Sequence, residues 1–327
     1  MGRTHIIGTG SYVPDKVLTN KDLEKMVDTT DEWITERTGI KERRIAAEGE
    51  LTSDMALKAS VRALEMAKTR PEDLDVIIVG TVSPDMPMPA TAVFLQDKLG
   101  ARKAFAFDVL AACAGSLFGM GVADQYIKNG AAKRILVVGV EMLSRIVDWN
   151  DRNTCVLFGD AAGAMVLAPS SDPQHGILST HLHTDGGTAE LLTIPGGGVR
   201  SPLNPERLEQ KWDKIKMQGK EVYKFAVRAL TDAIGEALET NGLQPRDITH
   251  VVAHQANVRI IDAVLERLDV PREKVWMNLH KYGNTSSASL PMSLDVAHRA
   301  GKLRRGDVIA MMAIGAGMAW GSAIVRW

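Results

Sequence analysis

Cysteine is scarce in this chain, with two residues, Cys113 and Cys155, among 327. So few thiols cannot build a disulfide framework, and their number suits a reducing compartment. A charge excess is missing too. Lys and Arg total 39 against 40 Asp and Glu, a formal net charge of -1, which excludes a bulk field that would hold nucleic acid or an anionic membrane. An acidic partner would need a local basic patch. The opening residues, Met1 to Tyr12, lack the apolar core of a signal peptide, and Ile6 stands where a myristoylation signal needs Ser or Thr. The expected location is cytoplasmic. One long uncharged apolar run exists, Val308 to Val325, just long enough to be weighed as a spanning helix. Gly315, Gly317 and Gly321 interrupt it, so it predicts two buried strands around a glycine turn, not membrane insertion. His181 and His183 form a lone H-x-H pair without companion ligands of convincing spacing, and no metal is expected.

What is present is an ordinary globular composition, 45% apolar, enough for a substantial core over about two typical domain lengths. Short apolar runs of strand length alternate with helical patterns, the signature of layered α/β architecture. The clearest helix covers about Glu221 to Glu239, where Val222, Phe225, Ala226, Ala229, Ala233 and Ala237 form one stripe. A faint internal repeat runs through the chain. Pro71-Glu72-Asp73-Leu74 before the strand pattern Val76 to Val79 matches Pro245-Arg246-Asp247-Ile248 before Val251 to Ala253, an offset of 174 residues from 71 to 245. The same offset carries Ile135 to Gly139 onto Ile309 to Ala313 and Cys113 onto Ser287. Two copies of one α/β unit follow, with halves at residues 1–172 and 173–327. Between Thr184 and Lys216 glycines and prolines dissolve the pattern into a long surface excursion with the functional potential of such loops.

Three residues stand out for chemistry. Phe105 to Gly115 reads as a strand feeding a helix through small residues, which puts Cys113 at a helix N-terminus, where the dipole favours the reactive thiolate. A buried core thiol is an equal reading of this stretch alone. Cys155, among strand-like apolar neighbours, reads as core. His254 follows the strand Val251-Val252-Ala253, at the strand end where α/β proteins place active groups, though a loop hydrogen bond would also account for it. Asn284, in Tyr282-Gly283-Asn284-Thr285-Ser286, sits after a short strand and before a helical pattern, where helix capping competes with a catalytic role.

Together, Ala111-Ala112-Cys113-Ala114-Gly115, His254-Gln255-Ala256-Asn257 and Tyr282-Gly283-Asn284-Thr285-Ser286 closely resemble the three catalytic motifs of the β-ketoacyl-acyl-carrier-protein synthase III family. Gly315 to Ala323 looks like its closing glycine-rich signature, and Phe158 to Ala164 is similar to another of its motifs. The resemblance implies a thiolase-like five-layered α/β/α/β/α fold from two pseudo-duplicated halves, in a homodimer. It implies an acyltransferase in which Cys113, His254 and Asn284 are catalytic and the backbone amides of Cys113 and Ala316 form an oxyanion hole. It further implies that Trp33, Arg37 and Arg152 bind acyl-CoA, that Lys224, Arg259 and Arg267 face an acidic carrier protein, and that Met88 reaches the partner subunit's acyl pocket. No cofactor is needed, because the CoA thioester and malonyl-acyl-carrier protein are both substrates.

The implied reaction is decarboxylative condensation of a short acyl-CoA primer, via acyl-Cys113, with malonyl-acyl-carrier protein, initiating fatty acid biosynthesis. The alternative keeps the Cys-His-Asn triad in a condensing or acyl-transfer enzyme of secondary metabolism. Thr81-Val82-Ser83 after the strand ending at Gly80 lacks the glutamate of hydroxymethylglutaryl-CoA synthases. Ala316 and Ala161 replace glycines of the family pattern, Ser116 stands where a larger apolar residue is common, and Lys220 where a small polar residue often lines the cleft. These departures bear on acyl-chain preference.

Overall fold

The computed structural model describes Gly2 to Trp327. Its first sheet contains β1 (Thr4–Tyr12), β2 (Val76–Gly80), β3 (Phe105–Val109), β4 (Ile135–Glu141) and β5 (Ala161–Pro169), in the order β1-β5-β4-β2-β3. β2 runs parallel to β3 and β4, while β5 is antiparallel to β4 and β1. The second sheet contains β6 (Gly176–Thr184), β7 (His250–Ala253), β8 (Val308–Gly315) and β9 (Ala319–Arg326), in the order β7-β8-β9-β6. Here β7 and β8 are parallel, and β9 is antiparallel to both neighbours. Read from the other edge, β6-β9-β8-β7 repeats β1-β5-β4-β2. The counterpart of β3 is reduced to one parallel bridge between Val251 and Val275.

Strand periodicity divides the core. In β2 every residue is buried, as expected for a parallel strand covered on both faces. Ile77 and Val79 turn outward onto Met55, Ala59 and Ala63 of α2 (Thr52–Ala67) and Leu95 of α3 (Thr91–Leu99). Val76 and Ile78 turn inward onto Leu117 and Met120 of α4 (Gly115–Lys128), because successive strand side chains alternate faces. α4 and α7 (Ser289–Arg299) lie between the sheets, where Leu290 and Leu294 join Val252, Ile309 and Met311. On the far side, Val251, Ala310 and Met312 meet Ala226, Leu230 and Ile234 of α5 (Gly219–Thr240) and Ile261 and Val264 of α6 (Val258–Leu268). The expected five layers and the expected strand pair at the carboxyl end are therefore present. No helix among the described residues is long and apolar enough to cross a membrane.

Two local expectations fail. Cys155 is fully buried, but in a short helix, Arg152–Cys155, rather than a strand. The segment before Asn284 is a helical turn, Leu279–Tyr282, not a strand. Its Asn278 and Leu279 amides are taken by Gln255 Oε1 at 2.9 and 2.7 Å, a long-range tie that overrides local pattern.

Candidate active site

β3 and α4 are joined through a single 3-10 turn, Ala112–Ala114, with Cys113 at its centre and Ala112 in the left-handed region at φ +45°. The end of β8 comes up against this turn. A Cβ on Gly315 would stand 2.5 Å from the Cys113 amide nitrogen and 2.9 Å from the Ala111 carbonyl, so only glycine permits the approach. The next residue, Ala316, thereby enters the wall of the cavity that Cys113 lines. That cavity measures about 420 Å³, and Leu110, Phe158, Leu192, Ile194 and Ile215 make much of it apolar. Leu192, Ile194 and Ile215 belong to the excursion between Thr184 and Lys216, which is folded back by pairing of Leu192–Thr193 with Lys216–Met217.

Burial pushes the Cys113 thiol up to about 12, with the Ser286 hydroxyl pulling it back and the nearby Glu141 carboxylate pushing it further up. The thiolate expected from the helix N-terminus is thus outweighed by desolvation. The resting cysteine is a thiol, and attack requires somewhere for its proton to go.

His254 follows β7, and its amide donates to the Met312 carbonyl at 2.8 Å. Its Nδ1 lies 2.8 Å from Ser289 Oγ, itself 3.0 Å from the Ser286 carbonyl. Burial lowers the imidazole to about 4, so the ring is neutral at pH 7 and carries one N–H. Ser289 can turn its hydroxyl to the Ser286 carbonyl or to Nδ1, and that choice decides which ring nitrogen bears the proton. Beside it, Gln255 is held by Trp276 O at 2.6 Å and Ser293 Oγ at 2.9 Å, which fixes the chain that carries the histidine.

Asn284 is clamped by its backbone, donating to Leu157 O at 2.8 Å and accepting from Gly159 N at 3.0 Å. Its Oδ1 accepts from the Ser286 amide at 2.9 Å. Asn284 is not the cap of the next turn, whose N-cap is Thr285; its bond to Ser286 N, two residues on, uses the oxygen and leaves the amide NH2 free to donate.

Ser286 links the three residues: its amide bonds Asn284, its carbonyl accepts from Ser289, which lies 2.8 Å from His254 Nδ1, and with its hydroxyl 2.9 Å from Glu141 it lines the same cavity as Cys113. Sequence reasoning singled out neither Ser286, Ser289 nor Glu141. The serine-rich run was visible, but three-dimensional proximity gives its hydroxyls their partners.

Trp33 and Arg37 lie on α1 (Asp31–Thr38), with the Arg37 guanidinium 4.9 Å from the Trp33 ring centre and that of Arg152 5.3 Å from it. Arg152 is also held by the Asp28 carbonyl at 2.9 Å. Gly39, ending α1, abuts Val258 at the start of α6, so this cluster and Arg259 share one side of the molecule. Arg259 and Arg267 are exposed and, among the described residues, have no acidic partner within ion-pair distance. Asp262, near Arg267 in sequence, pairs with Arg272 at 3.3 Å instead. Lys224 is exposed and pairs with Glu221 at 2.9 Å. Met88 is 83% exposed. His181 and His183 share the Glu236 carboxylate, at 3.0 and 2.7 Å.

Two mixed sheets around a central helical layer, with a buried cysteine at the start of one central helix, define a condensing enzyme of the thiolase-like type. The family model described as 3-oxoacyl-[acyl-carrier-protein (ACP)] synthase III matches residues 107–186, and its C-terminal companion matches residues 238–327. A β-ketoacyl-[acyl-carrier-protein] synthase III of Caldanaerobacter subterraneus is 52% identical over 322 residues, 98% of this chain and 97% of that one. One from Alkalilimnicola ehrlichii is 51% identical over 328 residues, spanning 100% of both. The crystal structure of 3-oxoacyl-[acyl-carrier-protein] synthase III from Aquifex aeolicus superposes with a TM-score of 0.92 at 48% identity, covering 99% of this chain and 100% of that one. The chain belongs to the β-ketoacyl-acyl-carrier-protein synthase III family and is an acyltransferase of the condensing type.

Proposed function

We propose that the chain condenses a short acyl-CoA primer with malonyl-acyl-carrier protein, with loss of carbon dioxide, and so initiates fatty acid biosynthesis in the cytoplasm. The observation that carries this reading is the meeting of Cys113, His254 and Asn284 around Ser286, beside an apolar cavity. Cys113 attacks the acyl-CoA carbonyl, the C–S bond to the enzyme forms, and the CoA thiolate leaves. The amides of Cys113 and Ala316 hold the transient oxyanion. Malonyl-acyl-carrier protein then places its thioester carbonyl against Asn284 Nδ2–H and His254 Nε2–H. Breaking the bond to carbon dioxide leaves an enolate, which those two donors stabilise until its carbon attacks the acyl-cysteine. Supplying Nε2–H requires the Ser289 hydroxyl to face Nδ1. The reaction needs no cofactor, since both thioesters are substrates.

Trp33, Arg37 and Arg152 bind the CoA adenine by stacking and charge. A ring between Trp33 and Arg152 needs about 7 Å, two contact distances, so Arg152 must lift from its 5.3 Å position. Lys224, Arg259 and Arg267 receive the acidic carrier protein on the same side. Residues 1–172 and 173–327 act as two related halves. A homodimer is favoured by the edge position of β3 and the exposed Phe105, Leu110 and Met88 near it, because such apolar edges seek cover. Met88 then closes the partner's acyl pocket.

Intact-mass spectrometry after acyl-CoA addition tests the covalent step. An acyl adduct is expected on the wild type and none on Cys113→Ser, and malonyl-acyl-carrier protein should discharge the adduct as a β-ketoacyl product. An adduct that survives Cys113→Ser, or discharge to a different acceptor only, would sink the reading.

A further inference from the structure

Glu141, at the end of β4, is fully buried and has no part in the steps above. Its Oε2 accepts from Ser83 Oγ at 2.7 Å, Val82 N at 3.1 Å and Thr81 Oγ1 at 3.3 Å. Its Oε1 faces Ser286 Oγ at 2.9 Å and Ser287 Oγ at 3.1 Å. Ser287 also reaches the Gly80 carbonyl at 2.7 Å. A hydroxyl has one proton, so Ser287 spends its own on the shorter bond to Gly80, and Ser286 is the steady donor to Oε1. Among the described residues no cation is bonded to this carboxylate. The Ser286 hydroxyl also borders the cavity that Cys113 lines and is a hydrogen-bonding neighbour of its thiol; with its own proton given to Oε1, its oxygen is left to accept from the S–H. Thiol, hydroxyl and carboxylate thus follow one another from the cavity wall to the buried Glu141.

We propose that Glu141 holds the Cys113 proton, passed through the Ser286 hydroxyl, for as long as the cysteine carries an acyl group. The inference rests on the acyl-cysteine reading above. In acylation the S–H bond breaks, Ser286 Oγ takes that proton and gives its own to Glu141 Oε1, and the sulfur bonds the acyl carbon. The departing CoA thiolate takes a proton from solvent. Condensation frees Cys113 as a thiolate, and Glu141 returns the proton by the same path. Over both halves one solvent proton is consumed, matching the carboxylate lost as carbon dioxide.

Glu141 is a positioning residue here, acting through Ser286 without touching substrate. Burial raises its carboxyl to about 6, so both of its states are accessible near neutral pH. His254 is a poor alternative acceptor, since burial lowers it to about 4. The titratable groups around Glu141 are Cys113 from the turn before α4, His254 beyond the Ser286 carbonyl, and Asp160 before β5. Asp160 is engaged by Ala46 N at 2.8 Å and Ser144 N at 2.9 Å.

The test is the rate of acyl-adduct formation, read by intact mass between about pH 5 and 8. In the wild type it should rise through about pH 6, as Glu141 becomes able to accept a proton. Glu141→Gln and Ser286→Ala should each lose that rise and be at least about tenfold slower at neutral pH. Ser287→Ala removes a contact to the same oxygen and should keep the rise. Difference infrared spectra of the wild type guard against a variant that does not fold, since acylation should add a deuterium-sensitive carboxylic-acid band that Ser286→Ala lacks. Wild-type rates and profile in folded Glu141→Gln, or no such band in the acylated wild type, would overturn the proposal while leaving the acyl-cysteine intact. No adduct on the wild type would overturn both.

Discussion

The turns Ala112-Cys113-Ala114 and Ser286-Ser287-Ala288 are counterparts 174 residues apart, down to the left-handed φ of the first residue, +45° at Ala112 and +48° at Ser286. Each opens a helix of the central layer, α4 or α7. They differ in what meets them. At the end of β4 the opposing position is Glu141, whose carboxylate reaches Ser286. At the same offset, the end of β8 is Gly315, whose bare backbone reaches Cys113. One scaffold used twice therefore gives two chemistries. The first turn presents a thiol to an apolar cavity. The second presents two hydroxyls to a buried acid and an amide to Asn284, and through Ser289 it reaches His254. Non-glycine residues at positive φ cost about 1 kcal/mol or more each, and both turns keep the strain because the layers on either side fix their geometry.

The division can be broken most sharply at Asn284. Asn284→Ala should slow condensation about a hundredfold or more, as loss of one donor to a developing oxyanion does, while the acyl adduct on Cys113 still forms. Single-turnover measurement of each half-reaction checks this, with Asn284→Asp as the variant that keeps the oxygen bonded to Ser286. Loss of both halves together would erase the distinction between the turns.

Acid stability comes next in size. His254 titrates near 6.5 when unfolded and at about 4 when folded. Its contribution of about 3 kcal/mol is present above pH 6.5 and lost as pH falls through 4. Glu141 has the opposite sign, since its folded value of about 6 exceeds the ordinary 4.5. It contributes about 2 kcal/mol that is present below pH 4.5 and lost as pH rises through 6. Urea titrations across this range should show stability falling with rising pH in His254→Gln and climbing with pH in Glu141→Gln.

Gly315→Ala should push the β8 turn off Cys113 and cost about 1–3 kcal/mol by overpacking, seen as a lower thermal midpoint with slower acylation. Gly139→Ala, whose Cβ would fall 2.0 Å from the Ser287 carbonyl, should displace the other turn and slow condensation instead. The smallest effect is expected at Trp33→Ala, about 1 kcal/mol of lost cation–π and stacking energy, which should raise KM for acyl-CoA several-fold with kcat nearly unchanged.

Much of this division was legible in one dimension. The 174-residue offset, the strand runs at Val76 and Ile135, the broken apolar run after Val308, and the order of the Cys113, His254 and Asn284 motifs all stand in the sequence. Cys155 is core, as its apolar neighbours predict, but it sits in a short helix, and Leu279–Tyr282 is a turn, because packing and the Gln255 side chain, not local periodicity, choose these conformations. The ionisation of Cys113 differs from the expectation for the same reason. A helix N-terminus predicts a thiolate at Cys113, but a sequence does not report how completely the sulfur is desolvated.

The sequence by itself determined which residues are the candidates for the chemistry, because residue type and strand or helix period are local properties of the chain. Only the tertiary structure decided how those residues are wired. Ser286 becomes the junction, Glu141 comes within hydrogen-bonding distance of it, and Gly315 packs against the Cys113 amide because two sheets and a shared helical layer bring distant strand ends together. Burial in that layer then sets the proton affinities of Cys113, His254 and Glu141, and burial exists only once the chain has folded.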